Sequence, residues 1–303
     1  MQIKPSYIQN GIVFFAPPPP LDNPSFSNID SYNSQISPHT SYSNTHFPLE
    51  GMDMLYLAEK VHFWHRSRVE FIYQQVSKQL VRLYGKEHFK QQYILDVGAG
   101  TGSVTRYFLS QGFEDMALGE IHSQGLEYAK TYGISKLFCM DLLDVPFEDE
   151  FDCIFAFDVI EHIENDKESI INMKKMLKNN AKSLLCVSVP AHQWLWNAHD
   201  VLVHHKRRYT KGKLMNLFKE CGLYIEMAQY FFVALTPLLF ARALLSPAKK
   251  AQKLSKEALR DVPPPKILNS ALLGLCRLEN ALLPLLPFGM PFGGSLLLVA
   301  RKV

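Results

Sequence analysis

A short apolar run, Tyr93 to Val97, breaks off into three alternating glycines, Gly98, Gly100 and Gly102, after which Val104, Phe108 and Leu109 resume at helical spacing. The pattern reads as strand, tight turn and helix, and it constrains the fold more than any other stretch. Glycine accepts the positive φ that such a turn needs, and without a Cβ it lets a ligand lie against the backbone. The helix that follows points unpaired N–H groups and the positive end of its dipole at the turn, which favours an anionic or carboxylate-bearing part of that ligand.

Further strand-like runs follow at intervals that leave room for helices. Met116 to Leu118 ends at Gly119 and Glu120, where a carboxylate could accept hydrogen bonds from both hydroxyls of a ribose. Leu137 to Met140 ends at Asp141 and Leu142, an acid for an adenine amino group beside a leucine that could cover the ring. Phe151 to Phe157 is a fourth strand, followed by Asp158-Val-Ile-Glu-His162; Ser183 to Val189, Leu223 to Tyr230 and Ser295 to Ala300 are the fifth, sixth and last. Caps agree with the helical stripes between them: Ser123 before a helix ending near Gly133, Asn165 with Glu168 before Ile170, Met173 and Leu177, and Thr210 before Leu214, Leu217 and Phe218. Regular alternation of strand and helix predicts an α/β domain with a parallel sheet covered on both faces.

With these acids behind Gly98-x-Gly100-x-Gly102, the chain resembles the class I S-adenosylmethionine-dependent methyltransferases, in their small-molecule (type 11/23-like) branch, over about residues 54 to 303. The resemblance implies a Rossmann-like, mostly parallel sheet with the last strand antiparallel, and S-adenosyl-L-methionine as cofactor. The residues it assigns to that cofactor are Asp96, Gly98, Ala99, Gly100, Gly102, Glu120, Ile121, Asp141, Leu142 and Asp158. It also implies that the N-terminal helical segment, 51–90, lids the cofactor. Two other readings stay open: a nicotinamide-dependent oxidoreductase, which shares the glycine turn and the ribose acid, and a catalytically silent cofactor-binding or scaffold protein.

A chain of 303 residues with 47% apolar content can bury one large core, here a domain over 51–303 with appendages. Residues 1–50, rich in Ser, Asn, Pro and Tyr with Pro17 to Pro20 in a row, predict a disordered tail. A net charge of +3 gives no reason to expect nucleic acid as partner. Five cysteines without metal-ligand spacing read as reduced core residues of a cytoplasmic protein.

The acceptor side is expected in two stretches. His62-Phe63-Trp64-His65-Arg66 opens a helix; either Phe63 and Trp64 pack on the sheet, or Trp64 and Arg66 border the active site. The loop from Pro190 to Tyr209 carries four histidines, two tryptophans, an aspartate and Lys206-Arg207-Arg208 without periodicity. Its aromatics, Trp196 among them, would wall a substrate pocket, and Arg207 and Arg208 would hold an anionic group beside Tyr209. For a hydroxyl acceptor, His192 and His199 are the candidate bases, with Glu161 and His162 as alternates; His162 also falls on the substrate side. Since no histidine pair has zinc-protease spacing, no metal is expected. The Asn-Pro-Pro-aromatic signature of amino-methylating enzymes is absent after the fourth strand, where Phe157 to Glu161 stand. The implied acceptor is a small molecule or a lipid-linked one.

Residues 231–294 form an apolar helical insertion before the last strand, where a hairpin would need only a short turn. Asn269, Ser270, Arg277 and Asn280 cluster on about a third of the helical circumference, leaving a wide apolar face near Lys249, Lys250, Lys253, Lys256 and Arg260. That face packs on the domain or on a second subunit in a homodimer, or it meets a membrane interface through 231–283.

Overall fold

The computed structural model describes residues 6–15, 51–253, 262–285 and 289–303. Nine strands among them build one sheet: β1 (Tyr7–Gln9), β2 (Ile12–Phe14), β3 (Ile94–Val97), β4 (Met116–Glu120), β5 (Leu137–Cys139), β6 (Cys153–Phe157), β7 (Leu184–Pro190), β8 (Leu223–Phe231) and β9 (Ser295–Lys302). Their order is β1-β2-β5-β4-β3-β6-β7-β9-β8. From β2 to β7 every pairing is parallel, whereas β9 enters antiparallel between β7 and β8. The expected mostly parallel sheet with a reversed last strand is therefore present.

Helices cover both faces because neighbouring residues on a buried strand point to opposite sides. Leu95, Ile154, Val187 and Leu298 face a core completed by Ile170, Met173 and Met176 of α5 (Asp166–Met176) and by Leu214 and Phe218 of α7 (Lys211–Glu220). Ile94, Phe155, Cys186 and Val299 face the other core, filled by Phe71, Ile72, Val76 and Leu80 of α2 (Phe63–Tyr84) and by Val104 and Phe108 of α3 (Ser103–Ser110). Each such fully buried large side chain contributes about 1.5–3 kcal/mol relative to exposure. Asn165 and Thr210 cap α5 and α7 as their positions suggest. Ser123 instead begins its helix, α4 (Ser123–Lys130), and His122 occupies the cap position.

The expected disordered tail meets one departure. Residues 7–14 fold as a hairpin whose second strand extends the sheet beyond β5, with Ile12 and Phe14 buried against Leu126, Ala129 and Leu137. Three-residue strands carry too little alternation to register as periodicity, and pairing with β5 supplies what they lack. Residues 1–5 and 16–50 lie outside the described residues.

Among its described residues the insertion carries two α-helices, α8 (Thr236–Leu245) and α9 (Lys266–Leu282). α9 lies on α2 with its polar residues inward: Asn280 donates to Ser67 O at 3.1 Å, Asn269 accepts from Phe63 N at 3.0 Å, and Arg277 pairs with Glu70 at 2.8 Å. Its apolar side is turned outward, with Ile267 88% exposed and Leu275, Leu278 and Leu282 also exposed. Lys256 and Arg260 lie outside the described residues.

Candidate functional site

A cavity of about 560 Å³ opens along the carboxyl ends of β3, β4, β6 and β7, the edge at which an open α/β sheet offers its turns to a ligand. The strand ends line it with Asp96, Gly98, Ala99 and Gly100, then Glu120 and Ile121, then Asp141 and Leu142, then Asp158. Opposite stand Leu55 and Glu59 of α1 (Met52–Val61), Trp64 and Arg68 of α2, and Leu235, Leu239 and Leu272 of the insertion.

The glycine turn is built by close approach. Gly98 has φ +59°, and a Cβ there would stand 2.6 Å from Val159 Cγ2. Gly100 N donates to Glu120 Oε2 at 2.9 Å, while Ile121 N and His122 N donate to Oε1 at 2.8 and 3.1 Å. Three backbone donors hold this buried carboxylate in place; Oε1 accepts two of them, and Oε2, which accepts one, keeps acceptor capacity for a further donor. Asp96 accepts from Thr105 Oγ1 at 2.8 Å; burial pushes its carboxyl up to about 7, against the pull of Thr105 and Arg68. Asp141 accepts from Leu143 N at 2.8 Å, a turn that presents the rest of its carboxylate beside Leu142.

At the far end the side chains hold one another. Arg68 Nη2 meets Asp158 Oδ2 at 2.8 Å, and Ser188 Oγ donates to Asp158 Oδ1 at 3.0 Å. Arg208 grips the fully buried Asp200 with Nε at 2.8 Å and Nη2 at 3.0 Å, and Nδ1 of His205 lies 2.8 Å from the same carboxylate. Although burial opposes it, the bonds from His205 and Arg208 hold Asp200 down at about 2. Glu161, fully buried beside them, has no hydrogen-bond partner at either carboxylate oxygen, and burial, with Asp158 nearby, raises its pKa well above the ordinary carboxylate value.

Residues 95–185 match the family described as the Methyltransferase domain. A ubiquinone biosynthesis O-methyltransferase of Rickettsia akari (strain Hartford) is 28% identical over 123 residues, 39% of this chain and 47% of that protein. The alpha N-terminal protein methyltransferase 1 of Oryza sativa subsp. indica is 30% identical over 147 residues, 44% of this chain and 47% of that protein. Among solved structures, the complex between the Haloferax volcanii Trm112 methyltransferase activator and a methyltransferase aligns over 84% of this chain and 96% of the other, at 14% identity and a TM-score of 0.50. Residues 95–185 are a methyltransferase domain, and the chain around them has the class I S-adenosylmethionine-dependent methyltransferase fold. The chain spans less than half the length of these two curated relatives.

Within the methyltransferase domain, the residues expected at the cofactor end line the cavity together, Gly102 excepted. Gly102 stands at the head of α3 with φ +81°, and a Cβ there would meet Leu118 and Ala129 within 3.0 Å, so helix packing demands glycine at that position. The acceptor end departs further from the sequence reading. His199, His162, Trp64 and Arg208 line the cavity, but His192, Arg66, Trp196, Arg207 and Tyr209 do not.

Four of these five exclusions have a physical cause. His192 turns the chain at φ +57° and stacks its ring between Trp194 and Tyr230, with centroids 5.2 and 4.8 Å away; burial, and secondarily Arg208, lowers its pKa. Arg207 pairs with Asp166 at 2.9 Å and donates to the carbonyls of Ile163 and Glu164. The buried Tyr209 hydroxyl donates to Asp166 at 2.8 Å. Arg68, about 200° around the helix from Arg66 at 100° per residue, lines the cavity where Arg66 was expected. Trp64 stacks on Phe232 at 3.8 Å and lines the cavity. Arg68, Asp200 and His205 were missed as site residues, because only the fold brings α2 and the turn after α6 (Ala198–Leu202) to the end of β6.

Proposed function

We propose that this chain transfers a methyl group from S-adenosylmethionine to an oxygen atom of a lipid-linked acceptor presented at a membrane surface. The cofactor supplies a sulfonium methyl already activated for in-line displacement, so the protein's work is to bind, align and exclude water. The donor set at the strand ends fits such a cofactor. Glu120 keeps acceptor capacity at Oε2 for a ribose hydroxyl, Asp141 and Leu142 would take the adenine edge and face, and the side-chain-free backbone at Gly98 and Gly100 would admit the amino-acid portion near Asp96. His199, at the acceptor end, would accept the acceptor's proton, and Trp64 would wall the acceptor.

The observation that carries the acceptor reading is the outward apolar face of the insertion and its continuity with the cavity. Leu238, 57% exposed, and Leu268, 50% exposed, line the cavity, and Leu244, Leu245 and Ile267 on the same two helices are exposed as well. A patch of this kind marks a docking surface, and the exposed Lys249, Lys250 and Lys266 beside it favour anionic lipid, at ~1 kcal/mol for each basic residue near the surface. Among the described residues no helix is long and apolar enough to cross a membrane, so the contact would be interfacial. The names of the rickettsial relatives favour oxygen as the accepting atom; the rice relative's name points to a chain-terminal nitrogen, which the exposed apolar face of the insertion does not call for.

Two measurements test the reading. Membrane extract incubated with the chain and methyl-labelled S-adenosylmethionine should yield label in the lipid fraction, on oxygen, by mass spectrometry. Sedimentation with anionic liposomes should carry the chain down, more weakly as salt rises and after Leu244→Glu with Ile267→Glu. Label confined to protein, or recovery of unbound monomer at both salt concentrations, would dismiss the lipid-linked acceptor.

A further inference from the structure

The turn after β6 and the turn after α6 meet inside the cavity, pinned by a 2.7 Å hydrogen bond from Lys206 N to Glu161 O. This contact brings together Glu161, His162 and His205, one ligand-capable atom from each lying within 4.8 Å of the others. Glu161 is fully buried, and neither of its oxygens has a hydrogen-bond partner. Such a carboxylate either takes up a proton or, where it stays ionised, needs a cation to compensate its desolvation. Arg68 and Arg208, the nearby guanidiniums, are engaged with Asp158 and Asp200.

Nε2 of His205 lies 3.9 Å from Glu161 Oε1, too far for a hydrogen bond and close to the separation of two ligands on one ion. Zinc bonds of about 2.0 to 2.2 Å hold ligand atoms roughly 3.4 Å apart in a tetrahedron, so the cluster closes with a shift on the order of an ångström. The other ring nitrogen, Nδ1, lies 2.8 Å from Asp200, which Arg208 and Asn197 N hold in turn. A carboxylate behind an imidazole is the arrangement that fixes tautomer and ring orientation in metal-ligating histidines.

We propose that Glu161, His162 and His205 bind a divalent metal ion of the zinc class at the acceptor end of the cavity, with Asp200 and Arg208 positioning His205. Two imidazoles and one carboxylate suit zinc, and three protein ligands leave an open position. All three residues line the cavity, so that position faces the space left for the acceptor and would take an oxygen ligand from it. The spacing of histidines along the chain conceals the cluster, because its ligands come from two segments more than forty residues apart.

The test uses the full chain without an affinity tag, stripped by a chelator and titrated with Co²⁺ as a coloured probe and then with Zn²⁺. Saturable visible absorbance at about one equivalent, displaced by Zn²⁺, is expected, as is a Zn²⁺-dependent rise in melting temperature. Glu161→Gln and His205→Asn should each weaken Co²⁺ binding at least tenfold, and Asp200→Asn by about 10- to 100-fold with the spectrum retained. Circular dichroism checks folding; should Glu161→Gln not fold, the partly exposed His205→Asn decides by the same readout. No absorbance in the wild-type chain, or undiminished binding in a folded ligand variant, would overturn the site.

Discussion

The two ends of the cavity are held by different forces. At the cofactor end, backbone amides and glycine carry the geometry: three N–H groups converge on Glu120, and Gly98 packs on Val159 where no Cβ could fit. At the acceptor end, charged side chains hold one another through Arg68–Asp158 and Arg208–Asp200–His205, around the buried and unbonded Glu161. Backbone-built sites are set by local chain geometry and tolerate change at few positions. Side-chain-built sites can be re-tuned residue by residue, but each buried charge is costly once its partner is removed. Recognition of a fixed cofactor suits the first kind of construction, and adaptation to one acceptor suits the second.

The sharpest test of that contrast is Arg208→Ala. It strips a buried aspartate of its bidentate partner, for which a loss of about 3–5 kcal/mol is expected. Urea unfolding measures it, and Arg208→Lys should recover only part. A loss below ~1 kcal/mol would mean that water, not Arg208, satisfies Asp200. The contrast can also be probed by pH through Asp96, whose carboxyl sits at about 7 in the fold against about 3.9 unfolded. Between those values the native state binds more protons, so Asp96 makes stability fall as pH rises through the window, by up to about 4 kcal/mol, and leaves it flat above. Subtracting the unfolding profile of Asp96→Asn isolates this slope. A difference independent of pH would show Asp96 ionised throughout.

Smaller effects are expected at the backbone-built end. Gly98→Ala forces a side chain into positive φ against Val159, at a cost of about 2–3 kcal/mol, and should remove cofactor binding measured by calorimetry. Glu120→Ala removes charge-assisted bonds of about 1.5–3 kcal/mol each, so affinity for S-adenosylmethionine should fall at least tenfold. Binding that survives Glu120→Ala in a folded chain would move the ribose elsewhere. The smallest effect belongs to His192→Phe, which keeps the stack on Tyr230 and should change stability by less than about 1 kcal/mol and leave turnover unaltered. A hundredfold fall in rate would restore His192 as a base.

Some of this was legible from local chemistry. The strand ends at Val97, Glu120 and Asp141 announce themselves because apolar runs, glycines and acids lie within a few residues of one another, and a strand must deliver its next residue to the same sheet edge. Helix caps at Asn165 and Thr210 follow the same logic. The polar stripe of α9 illustrates the limit. Its spacing is visible in the chain, yet spacing does not say which side faces the protein, and the stripe faces inward onto α2 with its hydrogen bonds satisfied there.

Sequence alone thus determined the strand-turn-helix alternation, the cofactor class and the acids at the strand ends, because these depend on residues adjacent in the chain. Tertiary structure alone decided which residues of the 190–209 loop reach the cavity, that Arg68 rather than Arg66 enters it, and that Glu161 meets His205. Those outcomes depend on which buried charges find partners across distant segments, and pairing energy over such distances leaves no periodic trace in the sequence.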